Sequence, residues 1–175
     1  MMIAEESKVF YIHGLYGSKS SRKFKEIVSK YPEAVCLEWK YNDNIAEFIQ
    51  HSTEIVLKEN QKVTLIGSSA GGNLAWQIQQ ELKNLGKEVD LILINPLVET
   101  THLYENNMPV VFSKYIKPFD VLFNTKVLIG LQDEVINPHQ NKGFFELYNY
   151  NNSDKVEIIT VDDDHRISKF NILNN

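Results

Sequence analysis

The feature that most constrains the fold of this chain is a serine between two glycines, placed where a strand-like run meets a helix-like run. Residues 63–66 are largely apolar and partly β-branched, and Gly-Ser-Ser-Ala-Gly follows at once. This context places Ser69 on a sharp strand-to-helix turn, with its Oγ exposed at the strand's carboxyl end. Gly67 and Gly71 relieve the crowding around such a turn. The N–H of Ala70, which opens the helix, is then available to an oxygen that develops negative charge.

Short β-rich runs alternate with helical ones along the chain, which predicts an α/β protein with a doubly wound, mainly parallel sheet. Most of the strand-like runs are continuously apolar, as expected for strands covered on both faces. The predicted strands are 9–13, 35–38, 63–67, 91–95, 127–130 and 156–161. The predicted helices are 19–30, 43–59, 70–85 and 138–149. Asp43 or Asn42 is the expected cap of the second helix. One domain spans 1–175 in this interpretation.

Residues 96–125 break the alternation, because they form a connection too long for an ordinary loop. They predict an irregular excursion over the active edge of the sheet. Its many apolar side chains either pack on the sheet or line an acyl pocket, and both can hold for different residues. The candidate pocket residues are Tyr16, His102, Tyr104, Met108, Phe112 and Tyr115.

A nucleophilic serine needs a base, and the base needs an acid that orients it. The carboxyl ends of parallel strands share one sheet edge, so all three groups are expected in loops there. Asp133 follows the fifth predicted strand, and His165 follows the sixth. Glu134 is the rival acid, but Asp133 lies nearer the strand end. The rival bases are His13, His51, His102 and His139.

His13 and Gly14 follow the first predicted strand. A His-Gly step at that point lets the next backbone N–H turn toward the reacting oxygen. This assigns the second oxyanion donor to Leu15, with Tyr16 as the alternative, beside the N–H of Ala70.

The composition argues against several classes of binding partner. The net charge of −5 argues against nucleic acid and anionic membranes, and no apolar run reaches the roughly 20 residues of a membrane helix. The first residues do not form a signal peptide, which favours a cytoplasmic location. Cys36, the single cysteine, lies in an apolar run and is expected to be inert. No metal-ligand spacing or cofactor-binding motif is present, and neither metal nor cofactor is expected.

These motifs together resemble the α/β-hydrolases, and among them the small bacterial YqiA/YcfP-like esterase family, the UPF0227 type. The resemblance covers nearly the whole chain. It rests on His-Gly at 13–14, Gly-x-Ser-x-Gly-Gly at 67–72, Ile-Asn-Pro at 94–96, Tyr-Glu-Asn at 104–106, Gly-x-x-Asp-Glu at 130–134 and Asp-His at 164–165.

The resemblance implies a compact hydrolase with little or no cap domain that acts on carboxylic esters or thioesters. By matching positions it implies Ser69 as nucleophile, Asp133 as acid and His165 as base, in the order typical of this fold. A non-catalytic protein of the same fold, which binds a ligand or a partner, is the alternative, since fold alone does not dictate function.

Overall fold

Six strands form one sheet in the computed structural model, which describes residues 7–105 and 107–167. The order is β2-β1-β3-β4-β5-β6, and every neighbouring pair within the described residues is parallel. The predicted α/β class and the six-stranded sheet are therefore confirmed. The strands are Lys8–Ile12 (β1), Val35–Leu37 (β2), Val63–Ser68 (β3), Asp90–Ile94 (β4), Thr125–Gly130 (β5) and Glu157–Val161 (β6).

All four predicted helices are present, with ends set by local capping. The helices are Arg22–Lys30 (α1), Ile45–Leu57 (α2), Ala70–Asn84 (α3), Val110–Ser113 (α4) and Pro138–Asn151 (α5). Helix α1 begins later than predicted because Ser21 accepts a hydrogen bond from the Phe24 N–H. The predicted cap of α2 was wrong, since Asn44 accepts from the Glu47 N–H instead. Within residues 7–105 and 107–167, every helix is too short or too polar to span a lipid bilayer.

The core lies on both faces of the sheet. In β1, Phe10 and Ile12 belong to a core cluster with residues of α2, α3 and α5, while Val9 and Tyr11 belong to a second cluster with Ile27 of α1. Successive side chains of a strand point to opposite faces, so burial of both faces explains the continuous apolar runs. Cys36 lies on β2, where burial raises the pKa of its thiol to about 12, and the thiol therefore stays protonated.

The described residues of the excursion at 96–125 include a short 3-10 turn, Thr100–His102, and the short helix α4. Side chains of α3 form hydrogen bonds with the backbone of the second half of this excursion. Asn73 donates to the Lys117 carbonyl at 2.8 Å and accepts from the Lys117 N–H at 3.1 Å. Four further side chains of α3 donate to carbonyls there: Trp76 and Gln80 to Val121, Gln77 to Tyr115 and Gln79 to Phe123.

Candidate active site

Ser69 occupies a strained turn between β3 and α3, with φ of 55° and ψ of −127°. The glycines around it are required by close backbone approach. A Cβ on Gly67 would lie 2.6 Å from the Gly71 carbonyl oxygen, and a Cβ on Gly71 would lie 2.1 Å from the His13 carbonyl oxygen. Both distances are shorter than any real contact, so the turn exists only because neither residue has a side chain. Strain of this kind concentrates at functional sites.

Asp133 and His165 form a hydrogen-bonded pair at the ends of β5 and β6. The Asp133 Oδ2 lies 2.7 Å from the His165 Nδ1. Its Oδ1 accepts from the backbone N–H groups of Val135 and Ile136, each at 2.8 Å. Asp133 is buried and its carboxylate is held as an acceptor, so Nδ1 of the imidazole is the donor, and in the neutral ring the lone pair is then on Nε2. Ser69 and His165 line the same cleft.

The loop that carries His165 is held by backbone and side-chain hydrogen bonds. The Asn95 amide donates to the carbonyls of Asp164 and His165, at 3.3 and 3.1 Å, and accepts from the Gly130 N–H at 2.7 Å. Glu134 accepts from the His165 N–H at 3.1 Å. Asn95 therefore couples the ends of β4, β5 and the histidine loop.

Lys23 of α1 reaches into the same region from the side. Its ammonium donates to the Ser68 hydroxyl at 2.8 Å and to the His165 carbonyl at 3.2 Å. Burial lowers the pKa of this lysine to about 8. Four neighbouring carboxylates oppose the shift: Asp133, Asp164, Asp163 and Glu26.

The loop after β1 approaches the serine closely at Gly14. A Cβ on Gly14 would lie 3.1 Å from the Ser69 Cβ. Leu15 and Ala70, the two residues expected to donate backbone N–H groups to the oxyanion, both line the cleft beside Ser69.

His13 holds this loop in shape rather than facing the cleft. Its Nδ1 donates to the Gly14 carbonyl at 2.8 Å, its Nε2 accepts from the Trp39 N–H at 3.3 Å, and the Trp39 indole N–H donates back to the His13 carbonyl at 2.8 Å. The two rings stack with centroids 5.6 Å apart. Burial lowers the pKa of His13, and the neutral ring fits both hydrogen bonds.

The cleft has a volume of about 410 Å³ and its lining is mostly apolar. Three of the predicted pocket residues line it: Tyr16, Tyr104 and Met108. The lining residues that the sequence did not single out for the pocket are Leu97, Leu103, Glu105, Asn107, Glu134 and Val135. Asn106, in the Tyr-Glu-Asn motif, lies outside the described residues.

The other three predicted pocket residues lie elsewhere: His102, Phe112 and Tyr115. Phe112 is fully buried and stacks on Trp39, with centroids 4.7 Å apart. His102 is buried, with its Nδ1 2.8 Å from the Asn141 Oδ1 and its Nε2 3.2 Å from a Glu99 carboxylate oxygen. Tyr115 lines a separate groove beside α3, where Gln77 binds its carbonyl. The interpretation of these three as pocket residues is therefore corrected.

Lys23 and Trp39 had no predicted role around the site, and Glu134 was considered only as the rival acid to Asp133. Asn95 had a signal, because Asn-Pro directly after a buried strand marks a turn at the active edge. Lys23 had none, since it is one of several basic residues on an ordinary helix. No group of three His, Cys, Asp or Glu side chains in the described part of the chain is arranged to hold a metal ion.

In this chain a serine follows the third strand, an acid follows the fifth and a histidine follows the sixth. That order is typical of the α/β-hydrolase fold, and this chain has that fold. Among solved structures, an esterase from Pyrococcus furiosus matches with a TM-score of 0.60 at 16% identity, over 93% of this chain and 76% of the other.

Two further structures share the fold. A hyperthermophilic esterase from the archaeon Pyrobaculum calidifontis matches with a TM-score of 0.63 at 19% identity, over 91% of this chain and 68% of the other. A pyrethroid hydrolase from Sphingobium faniae JZ-2 matches with a TM-score of 0.64 at 10% identity, over 91% and 90%. No family model and no curated protein matches the sequence. The narrower resemblance to the YqiA/YcfP-like family thus stays a prediction.

Proposed function

We propose that this protein is a serine hydrolase that cleaves carboxylic esters or thioesters through an acyl-enzyme. The observation that carries the proposal is the 2.7 Å hydrogen bond between Asp133 and His165. His165 lines the same cleft as Ser69, whose backbone is strained. A buried acid fixes the imidazole tautomer that a general base needs. The names of the structural neighbours, which include esterases, are consistent with this chemistry.

In the first half-reaction, Oγ of Ser69 attacks the carbonyl carbon of the ester while Nε2 of His165 takes the hydroxyl proton. Asp133 stabilises the resulting imidazolium. The backbone N–H groups of Leu15 and Ala70 bind the oxyanion, and each such donor lowers the barrier by about 3 kcal/mol. The alcohol or thiol then leaves with the proton from His165.

In the second half-reaction, water attacks the acyl carbon of the acyl-enzyme while Nε2 of His165 takes a proton from it. Collapse of the tetrahedral intermediate releases the carboxylic acid and returns the proton to Ser69. The protein's own residues supply every proton transfer in this scheme.

The test is hydrolysis of p-nitrophenyl esters from acetate to palmitate by the wild type, Ser69→Ala and Ser29→Ala. Ser29 is an exposed serine of α1 and serves as the matched control. We expect Ser69→Ala to stay folded and to lose turnover by a factor of about 10⁴ to 10⁶, while Ser29→Ala keeps it. The ester chain length with the highest kcat/KM would measure the size of the cleft.

A fluorophosphonate probe gives a second readout, because only an activated serine reacts quickly with it. Labelling of the wild type and Ser29→Ala, but not of Ser69→Ala, is the expected result. A folded wild-type protein that neither labels nor hydrolyses any ester would overturn the proposal and favour a non-catalytic binding protein.

A further inference from the structure

The cleft beside Ser69 opens to solvent between two acidic and two aromatic side chains, here called the cleft mouth: Glu105, Glu134, Tyr16 and Tyr104. Both glutamates are exposed, and the tyrosines are 74% and 55% exposed. The cleft lining within the described residues contains neither lysine nor arginine. The lining residues therefore bring negative charge to the mouth, and the low-polarity walls of the cleft focus its field.

The two carboxylates are not neutralised by the contacts that they make in the described structure. Glu134 accepts from the backbone N–H of His165 at 3.1 Å, and Glu105 accepts from the Asn107 amide at 3.1 Å. Both donors are uncharged. Each hydrogen bond uses a single carboxylate oxygen, so each glutamate keeps its negative charge and a second oxygen for a substrate.

The tyrosines add a complementary preference. Tyr16 has a left-handed backbone, with φ of 62°, and packs edge-on against Tyr41 with ring centroids 5.7 Å apart. Tyr104 is joined to the acid loop through its backbone N–H, which donates to the Val135 carbonyl at 3.1 Å. Aromatic faces next to carboxylates attract cations, and quaternary ammonium groups most of all.

We infer that the cleft selects esters whose leaving group or acyl group carries a cationic centre, such as an ammonium. The inference rests on the proposed hydrolase function and names a substrate class for it. An ester with this group at the mouth places its carbonyl toward Ser69, whereas a substrate with phosphate groups, such as an acyl-coenzyme A, meets two like charges. Long-range attraction also raises the rate at which cationic esters enter.

The test compares two thioesters of nearly equal shape, butyrylthiocholine and S-(3,3-dimethylbutyl) thiobutyrate. The second replaces the quaternary nitrogen of the first by carbon and is neutral. Both release a thiol, so one assay measures both. We expect kcat/KM for the cationic ester to exceed that for the neutral one by about tenfold at low ionic strength, and the ratio to fall as salt is raised.

Glu105→Gln and Glu134→Gln are expected to lower this ratio severalfold, and the glutamine at 134 keeps an oxygen that can accept from the His165 N–H. Glu33→Gln is the matched control, because it changes the net charge equally at a side chain that is 93% exposed, before β2 and away from the cleft. Using a ratio cancels any effect of these variants on the chemical step.

Equal kcat/KM for the two thioesters, or a ratio that neither glutamine variant changes, would overturn the inference while leaving the hydrolase intact. Failure to hydrolyse either thioester, together with absent fluorophosphonate labelling, would instead overturn the proposed function and this inference with it.

Discussion

At the scale of single residues, Ser69 is held in a backbone conformation that an L-residue rarely adopts, with φ of 55° and ψ of −127°. Such a conformation costs about 1–3 kcal/mol, and glycine adopts it without that cost. We predict that the free energy of unfolding of Ser69→Gly is about 1 kcal/mol higher than that of Ser69→Ala. This difference already allows for the extra freedom of glycine in the unfolded chain. Urea unfolding of both variants measures the difference.

The control for this prediction is the same pair of substitutions at Ser29, in the helical backbone of α1. There alanine is the better residue, so Ser29→Ala should be more stable than Ser29→Gly by up to about 1 kcal/mol. If glycine were no better than alanine at position 69, the turn would not store the strain that its dihedral angles indicate.

At the scale of elements, helix α3 begins almost in contact with the end of β1. A Cβ on Gly71 would lie 2.1 Å from the His13 carbonyl oxygen and 2.5 Å from that of Ile12. We predict that Gly71→Ala lowers the free energy of unfolding by about 3 kcal/mol, because rigid backbone must move, and that it also slows the proposed ester hydrolysis by displacing the loop that carries Leu15. Denaturant unfolding and p-nitrophenyl ester hydrolysis measure the two effects.

Gly143, in helix α5, is the matched control for Gly71→Ala. A Cβ added there meets nothing within 4 Å, so Gly143→Ala should stabilise the protein by up to about 1 kcal/mol through helix propensity alone. Similar stability changes at the two glycines would contradict the close approach of α3 to β1.

Much of this architecture follows from local sequence. Continuous apolar runs predict the parallel strands, and Gly67, Ser69 and Gly71 predict the turn, because both signals lie within a few residues. The features that the local sequence does not predict depend on contacts between residues far apart in the chain. Apolarity alone does not tell whether Phe112 faces the cleft or stacks on Trp39, and no local pattern pairs Lys23 with the carbonyl of His165, 142 positions away.

At the scale of the whole molecule, Lys23 makes stability depend on pH. Its pKa is about 8 in the folded protein and about 10.5 in an unfolded chain, so the unfolded state binds more protons between these values, and stability rises with pH there. We predict that the free energy of unfolding of the wild type gains about 2 kcal/mol relative to Lys23→Met between pH 8 and pH 10. Urea unfolding across that range measures the difference.

Lys25, an exposed lysine of the same helix, provides the control for the pH dependence. The stability of Lys25→Met should run parallel to that of the wild type from pH 8 to pH 10. A difference between the wild type and Lys23→Met that stays constant with pH would show that the Lys23 ammonium is solvated rather than buried.

The amide side chains of α3 affect which positions of this protein can change during evolution. Asn73 and Gln77 form hydrogen bonds with main-chain atoms of Lys117 and Tyr115. These hydrogen bonds therefore do not depend on which side chains the bound segment carries. Upstream, Leu103 is bridged to Ile136. Tyr104 lies between these anchors and its side chain is 55% exposed, so this position can change without altering the folding of the sheet, and with it the substrate preference of the proposed hydrolase.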